Sequence, residues 1–235
     1  MLQLDVSAAK IGKYATQESG DTLEMVERPH GGLSFVLVDG QRSGRSAKKI
    51  STLVARKAIA LLAEGVRDGA AARAAHDYLY THRQGQVSAT LNIASVDLIS
   101  RTLVLSRNSH CPVYILRPDG LLTLNEPSSP VGIHRNTKPV VTELSLIAPT
   151  AAVIFTDGLP NAGKRQMANL DIPALLQTVS LLQLDSAKTI SDLLFDRAYQ
   201  LDTQRPIDDI SVLVLAILEQ PSPQVGRHLH VKIPL

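Results

Sequence analysis

The residues most able to do chemistry in this 235-residue chain are aspartates placed where apolar runs begin or end. FVLV leads into Asp39-Gly40, VIFT leads into Asp157-Gly158, and Asp208-Asp209 stands immediately before ISVLVL. A further acid, Asp21 in ESGD, precedes the first arm of an expected hairpin. An Asp-Gly after a strand is by itself a turn signal. Two adjacent aspartates before a strand are harder to explain as a turn alone, and three acidic strand ends together shift the balance towards chemistry. If the last strand runs antiparallel to the other two, all three acidic points reach one edge. Carboxylates gathered in that way repel one another and are costly to desolvate, and a divalent cation removes the cost. Oxygen ligands without His or Cys favour Mg²⁺ or Mn²⁺ over Zn²⁺. Two such ions can clamp a phosphoryl oxygen and generate hydroxide near neutral pH. A glycine directly after Asp39 and after Asp157 lets the backbone approach closely.

The elements that must position these acids are legible as changes of period. Residues 2–6 and 23–27 read as strands, His30-Gly31-Gly32 as a turn, and 33–38 as the returning arm of a hairpin. From about Ser46, Ile50, Leu53, Val54, Ala58, Leu61 and Leu62 fall on one helical face, interrupted by Lys57, until Gly65 and Gly69. An Ala-rich second helix covers 70–82. Strands follow at 87–95, 99–106 and 112–116, then an Asp119-Gly120 turn leads into 121–124. After a proline-bearing loop (127–139) come strands at 140–146 and 151–155, helices at 172–182 and 186–201, and a last strand at 208–218. The order predicts an α+β fold: a four-layer α-β-β-α sandwich of two mostly antiparallel sheets flanked by helix pairs. With no internal repeat or low-complexity linker, residues 1–220 are expected to form one domain, and the proline-broken residues 221–235 a C-terminal tail.

Composition narrows the function classes. There are 24 basic and 22 acidic residues, a balance that gives no case for nucleic acid or an acidic membrane. Aromatics are 3% with no Trp, which also argues against a base-stacking surface. The one cysteine, Cys111, permits no internal disulfide. The N-terminus does not read as a signal peptide, and no apolar run approaches the ~20 residues of a membrane span. A cytoplasmic protein is therefore expected.

SGD at 19–21, VDGQRSGRSAKK at 38–49, ATLNIASVD at 89–97, NSHCPVYILRPDG at 108–120, SSPVGI at 128–133, FTDGLPNA at 155–162 and DDISVLVL at 208–215 resemble the metal-dependent protein phosphatases of type 2C, in the bacterial branch of the sporulation stage II protein E. The loop 39–49 is most similar to small standalone phosphatases that reset stress-signalling complexes. The resemblance implies two Mn²⁺ or Mg²⁺ ions at one end of the sandwich. Asp39 would bridge them, the Gly40 carbonyl would bind one, Asp157 and Asp208 would complete the other, and Asp21 would hold metal-bound water. Between Asp208 and Asp209 the direct ligand stays open, with the DDISV alignment favouring Asp208. The implied reaction is hydrolysis of phosphoserine or phosphothreonine by a metal-activated water. The implied substrate is a phosphorylated signalling protein, such as an anti-sigma antagonist or a stressosome-like scaffold.

The chain departs from the pattern in informative places. Gln41 stands where related enzymes often carry a histidine, and glutamine cannot act as an acid. THRQGQ, before the strand at 87–95, has no carboxylate for a third ion. These departures favour an alternative, a degenerate phosphatase that binds a phosphoprotein without turnover; retention of the core aspartates argues against it. Hydrolysis of a nucleotide or small phosphate ester is a third possibility. His110-Cys111 with Arg117 has the spacing of a cysteine-dependent phosphatase, but Pro112 lacks an N–H and the stretch reads as a strand rather than a phosphate loop. Cys111 is expected in the core and His110 to be structural. Arg42, Arg45, Lys48 and Lys49 are candidates for steering a phosphorylated segment, or else a solvated helix start.

Overall fold

The computed structural model describes residues 1–220 and 226–233. Residues 221–225 and 234–235, part of the expected tail, lie outside the described residues. The chain begins with β1 (Leu2–Ile11), β2 (Asp21–Glu27) and β3 (Leu33–Gly40), then α1 (Gly44–Ala63) and α2 (Asp68–Arg83). The strands β4 (Ala89–Asp97), β5 (Thr102–Asn108), β6 (Val113–Arg117), β7 (Gly120–Leu124), β8 (Val140–Ser145) and β9 (Thr150–Phe155) follow. A single turn, α3 (Gly158–Asn161), then α4 (Ile172–Gln177), α5 (Ala187–Leu201) and β10 (Ile210–Glu219) complete the order.

The strands form two five-stranded sheets, β1-β10-β9-β6-β7 and β2-β3-β4-β5-β8. Every pairing between them is antiparallel. The sandwich follows from strands whose two faces both point into apolar surroundings, and such strands read as near-continuous apolar runs. In β3, Phe35 and Leu37 face the layer between the sheets, where they meet Ile115, Ile154, Leu213 and Leu215. Val36 and Val38, on the other face, pack under α1 and α2 with Val54, Ala58, Leu62 and Leu79. In β10, Val212 and Val214 turn outward to Ile190, Leu194 and Ala198 of α5. The expected α+β four-layer sandwich is therefore what forms.

Two local differences have physical causes. The helix expected over 172–182 stops at Gln177, and a 3-10 turn over Leu181–Gln183 follows. Asp171 caps its start by accepting from the Ala174 N–H at 2.9 Å. Its end falls at Thr178-Val179-Ser180, two β-branched residues and a serine that are weak helix formers. Lys57 interrupts the apolar face of α1 in sequence, yet its ammonium sits 5.7 Å from the ring centroid of Tyr78 on α2.

Candidate metal-dependent active site

The acidic strand ends converge because of register. Asp21, at the start of β2, lies directly opposite Asp39 near the end of β3. In the other sheet Phe155, the last residue of β9, pairs with Val212 near the start of β10. Asp157 and Asp208 thus emerge at the same edge as Asp39. They line a cleft of about 360 Å³ together with Asp39, Gly40, Gln41, Arg42, Lys13 and His110. The cleft sits where the apolar inter-sheet layer gives way. Two residues beyond Ile154 and two before Leu213, the same faces carry Thr156 and Ser211, and both donate to Asp21 Oδ2, at 2.9 and 2.6 Å.

The glycines after Asp39 and Asp157 are required by close approach. A Cβ on Gly40 would sit 2.1 Å from the Ala47 carbonyl oxygen of α1, and one on Gly158 would sit 2.0 Å from that of Asp209. Both distances are far inside van der Waals contact. Each Asp-Gly is therefore a point where an element end is pressed onto its neighbour, and this fixes where the acid points.

The electrostatics are those of a site that opposes its own charge. Burial holds the Asp39 carboxyl well above the usual range, and Asp21, Asp157, Asp208 and Asp209 push it further the same way. Burial also raises Asp21, although the Ser211 and Thr156 hydroxyls stabilise its charged form. Asp208 is raised by burial and by nearby Asp157, against the Asp209 N–H that it accepts at 3.0 Å. Asp21 Oδ1 is buried and has no hydrogen-bond partner among the described residues.

Of the paired acids, Asp208 lines the cleft and Asp209 does not. Asp209 is buried, and its oxygens accept from the backbone N–H groups of Lys13 at 2.9 Å and Gly20 at 2.8 Å. It buckles the loop between β1 and β2, a role that adjacency to Asp208 does not reveal in the sequence.

Asp39, Gly40, Asp157 and Asp208 line the cleft and the Asp21 Oδ1 is buried without a partner among the described residues, donors whose all-oxygen chemistry is the kind that suits Mg²⁺ or Mn²⁺. No three His, Cys, Asp or Glu side chains among the described residues converge tightly enough to hold an ion unaided. The balance of a coordination shell would fall to the Gly40 carbonyl and to water, several molecules of which Mg²⁺ normally keeps.

The remaining candidates separate cleanly. Arg42 lines the cleft, whereas Lys48 donates to the Asp21 carbonyl at 2.7 Å and to Thr22 Oγ1 at 2.9 Å. Lys10 donates to the same carbonyl at 2.6 Å, so two ammonium groups support the acids from below. Arg45 and Lys49 are exposed outside the cleft lining. Gln41 is held in place, its Oε1 accepting from the Ser88 N–H at 3.2 Å. Cys111 is buried and its thiol is pushed up to about 12, mainly by burial, which suits the core role expected for it. His110, expected to be structural, stands on the cleft wall with Nε2 3.9 Å from Asp157 Oδ2. Lys10, Lys13, Thr156 and Ser211 were not singled out from sequence. The last two could have been found by continuing the period-2 pattern past Ile154 and back from Leu213.

The profile of the family described as Stage II sporulation protein E (SpoIIE) matches residues 29–218. The chain belongs to the SpoIIE family. It is 22% identical over 221 residues to the stage II sporulation protein E of Priestia megaterium, an alignment that covers 94% of this chain and 37% of that protein. The chain thus spans little more than a third of that relative. Among solved structures, the PP2C phosphatase domain of SpoIIE from Bacillus subtilis, with a fragment of its regulatory domain, superposes with a TM-score of 0.81. Identity there is 21%, covering 94% of this chain and 65% of that one. The RsbU and RsbW domains of Rv1364c from Mycobacterium tuberculosis give a TM-score of 0.72 at 21% identity, covering 94% and 61%. The catalytic domain of the serine/threonine protein phosphatase PstP, solved with two manganese ions, gives 0.65 at 15% identity, covering 93% and 100%. These likenesses establish the PP2C fold for this SpoIIE-family chain.

Proposed function

We propose that the chain is a metal-dependent protein serine/threonine phosphatase, with residues 1–220 as its phosphatase domain. The observation that carries this reading is the convergence of Asp39, Asp157 and Asp208 on one cleft at the end of the sandwich. Asp39, Asp157, Asp208 and the Gly40 carbonyl would hold two Mn²⁺ or Mg²⁺ ions, with Asp21 behind them, and the bound ions would supply Lewis acidity and an activated water. The chain's own residues do the rest. Asp209, through Lys13 and Gly20, keeps the β1–β2 loop against the cleft. Lys10 and Lys48 support the Asp21 backbone, and Thr156 and Ser211 orient its carboxylate. Lys13 and Arg42 put positive charge on the cleft rim, where a phosphorylated segment would approach.

For the substrate we propose a phosphorylated signalling protein, either an anti-sigma antagonist or a stressosome-like scaffold. The sequence resemblance at 39–49 supports this, as does the fold shared with the RsbU and RsbW domains of Rv1364c. A cytoplasmic location is proposed with it; no helix among the described residues is long and apolar enough to cross a membrane. A second reading, phosphoprotein binding without turnover, is favoured by one observation: Gln41 is tied to Ser88 and offers the cleft no acid.

The discriminating experiment is hydrolysis of p-nitrophenyl phosphate and of a phosphoserine peptide with Mn²⁺, Mg²⁺ or EDTA. Turnover should require the cation and fall at least about 10²-fold in Asp39→Asn and Asp157→Asn. A folded, Mn²⁺-loaded wild type that binds the phosphopeptide without hydrolysing it would instead establish the binding module.

A further inference from the structure

His110 is distinguished by how it is presented. The residues around it are buried and tied down. Arg107 donates from Nη1 to the Ser109 carbonyl at 2.9 Å and from Nη2 to the Glu126 carbonyl. Asn108 donates from Nδ2 to the carbonyls of Ser129 at 3.0 Å and Lys138 at 3.2 Å. The Ser109 hydroxyl accepts from the Cys111 N–H at 3.1 Å. A surface turn does not ordinarily rest on a buried arginine and a buried asparagine, since satisfying such groups away from water is demanding. Here they make the turn between β5 and β6 rigid, and His110, whose side chain is 60% exposed, stands out from it onto the cleft wall. At 3.9 Å its Nε2 is beyond hydrogen-bonding distance of Asp157 Oδ2, so the ring is beside the acid without being consumed by it. Gln41, also on the cleft, is meanwhile held by Ser88.

We propose that His110 donates a hydrogen bond from its imidazole N–H to an oxygen of the bound phosphoryl group, and is a further substrate-contacting residue of the cleft. The inference rests on the phosphatase reading above. A transferring phosphoryl group spreads negative charge over its peripheral oxygens, and a donor whose backbone a hydrogen-bonded turn already holds beside the cleft has less to reorganise in stabilising that charge. A neutral imidazole carrying the proton on Nε2 is sufficient, so the role does not depend on His110 changing its protonation state.

The experiment compares wild type with His110→Ala and His110→Gln, the latter placing an amide N–H near the position of Nε2. Steady-state kinetics with Mn²⁺ would be combined with calorimetric titration of Mn²⁺ and of inorganic phosphate into each protein. The expected result is a fall of about 10²-fold in kcat/KM for His110→Ala and recovery to within about 5-fold in His110→Gln. Phosphate should bind more weakly to His110→Ala, with Mn²⁺ affinity unchanged. Wild-type kinetics and phosphate affinity in His110→Ala would overturn the proposal. So would loss in both variants accompanied by weakened Mn²⁺ binding, because the ring would then be acting through Asp157. Should wild type hydrolyse nothing, the phosphatase reading fails separately. The donor role would then be judged by phosphate titration alone, with equal affinity in wild type and His110→Ala overturning it.

Discussion

The carboxylates of the cleft are arranged against stability as long as no cation offsets them. Asp39 and Asp21 have folded pKa values raised above the ordinary 3.8. A group of this kind holds a proton in the folded state that the unfolded chain has already released. Its favourable contribution is present below the unfolded value and is lost as pH rises through the folded one. In EDTA the melting temperature should therefore decline as pH rises from about 5 to about 9, and saturating Mn²⁺ should flatten that decline. Asp39→Asn removes the most strongly burdened charge, so its melting curve in EDTA should depend less on pH and lie above wild type at pH 8, by roughly 2–4 °C per kcal/mol. Scanning calorimetry across pH checks this, and a wild-type profile that climbs with pH in EDTA would contradict it. At this scale the sequence was most readable where an acid adjoins an apolar run, as at Asp39, Asp157 and Asp208. It was unreadable where two aspartates are adjacent, because only the partners of Asp209, Lys13 and Gly20, separate a buckle from a ligand. The place of His110 on the cleft wall was unreadable for the same reason: the turn that carries it is held by part-buried hydrogen bonds to Ser129, Lys138 and Glu126, distant in sequence.

At the scale of elements, the site depends on two ends pressed closer than any side chain allows. Gly40 abuts the first turn of α1 at the Ala47 carbonyl, and Gly158 abuts Asp209 at the entry to β10. Gly40→Ala must push α1 away from β3, and Gly158→Ala must push Asp208-Asp209 away from Asp157. Overpacking of this kind typically costs about 1–3 kcal/mol, occasionally more. Each variant should lose stability by that amount and lose activity by a larger factor than its stability explains, since displacements of about 1 Å at a reacting site cost on the order of 10²-fold. Urea titration beside a turnover assay separates the two effects; full activity in either variant would mean that the contact does not set the acid. Elements were legible wherever one period ran long enough, as in α1, α5 and β10. The helix expected at 172–182 was misread because the apolar period continues through Leu181 and Leu182 after the backbone has left the helix at Thr178. Leu181 is buried from a 3-10 turn, so the burial that makes the pattern does not require helical geometry.

At the scale of the whole molecule, the sandwich places its acidic cleft where its two sheets must be held together without an apolar layer. Along the middle of the inter-sheet space Leu37, Ile154 and Leu213 exclude water, and at the cleft end the sheets are joined instead by Thr156 and Ser211 donating across to Asp21. The crossover from β1 in one sheet to β2 in the other passes this end, and Asp209 anchors it at Lys13 and Gly20, directly before Asp21. On the proposed reading the adjacent aspartates divide the labour, and their isosteric variants should behave oppositely. Asp208→Asn leaves the crossover intact and should keep the wild-type unfolding midpoint while losing at least about 10²-fold in activity. Asp209→Asn keeps one carbonyl oxygen but turns an NH₂ group towards a backbone donor, leaving a buried N–H unpaired, at a cost of about 1–3 kcal/mol. Its activity should fall because the loop that leads into Asp21 is less firmly held, and lowering the temperature or adding a stabilising osmolyte should recover part of it, which the same treatment cannot do for Asp208→Asn. Equal destabilisation of the two variants would remove the distinction between sheet-joining and chemistry at this end of the sandwich, and loss of Mn²⁺ binding in Asp209→Asn at a temperature where it is fully folded would place Asp209 among the ligands.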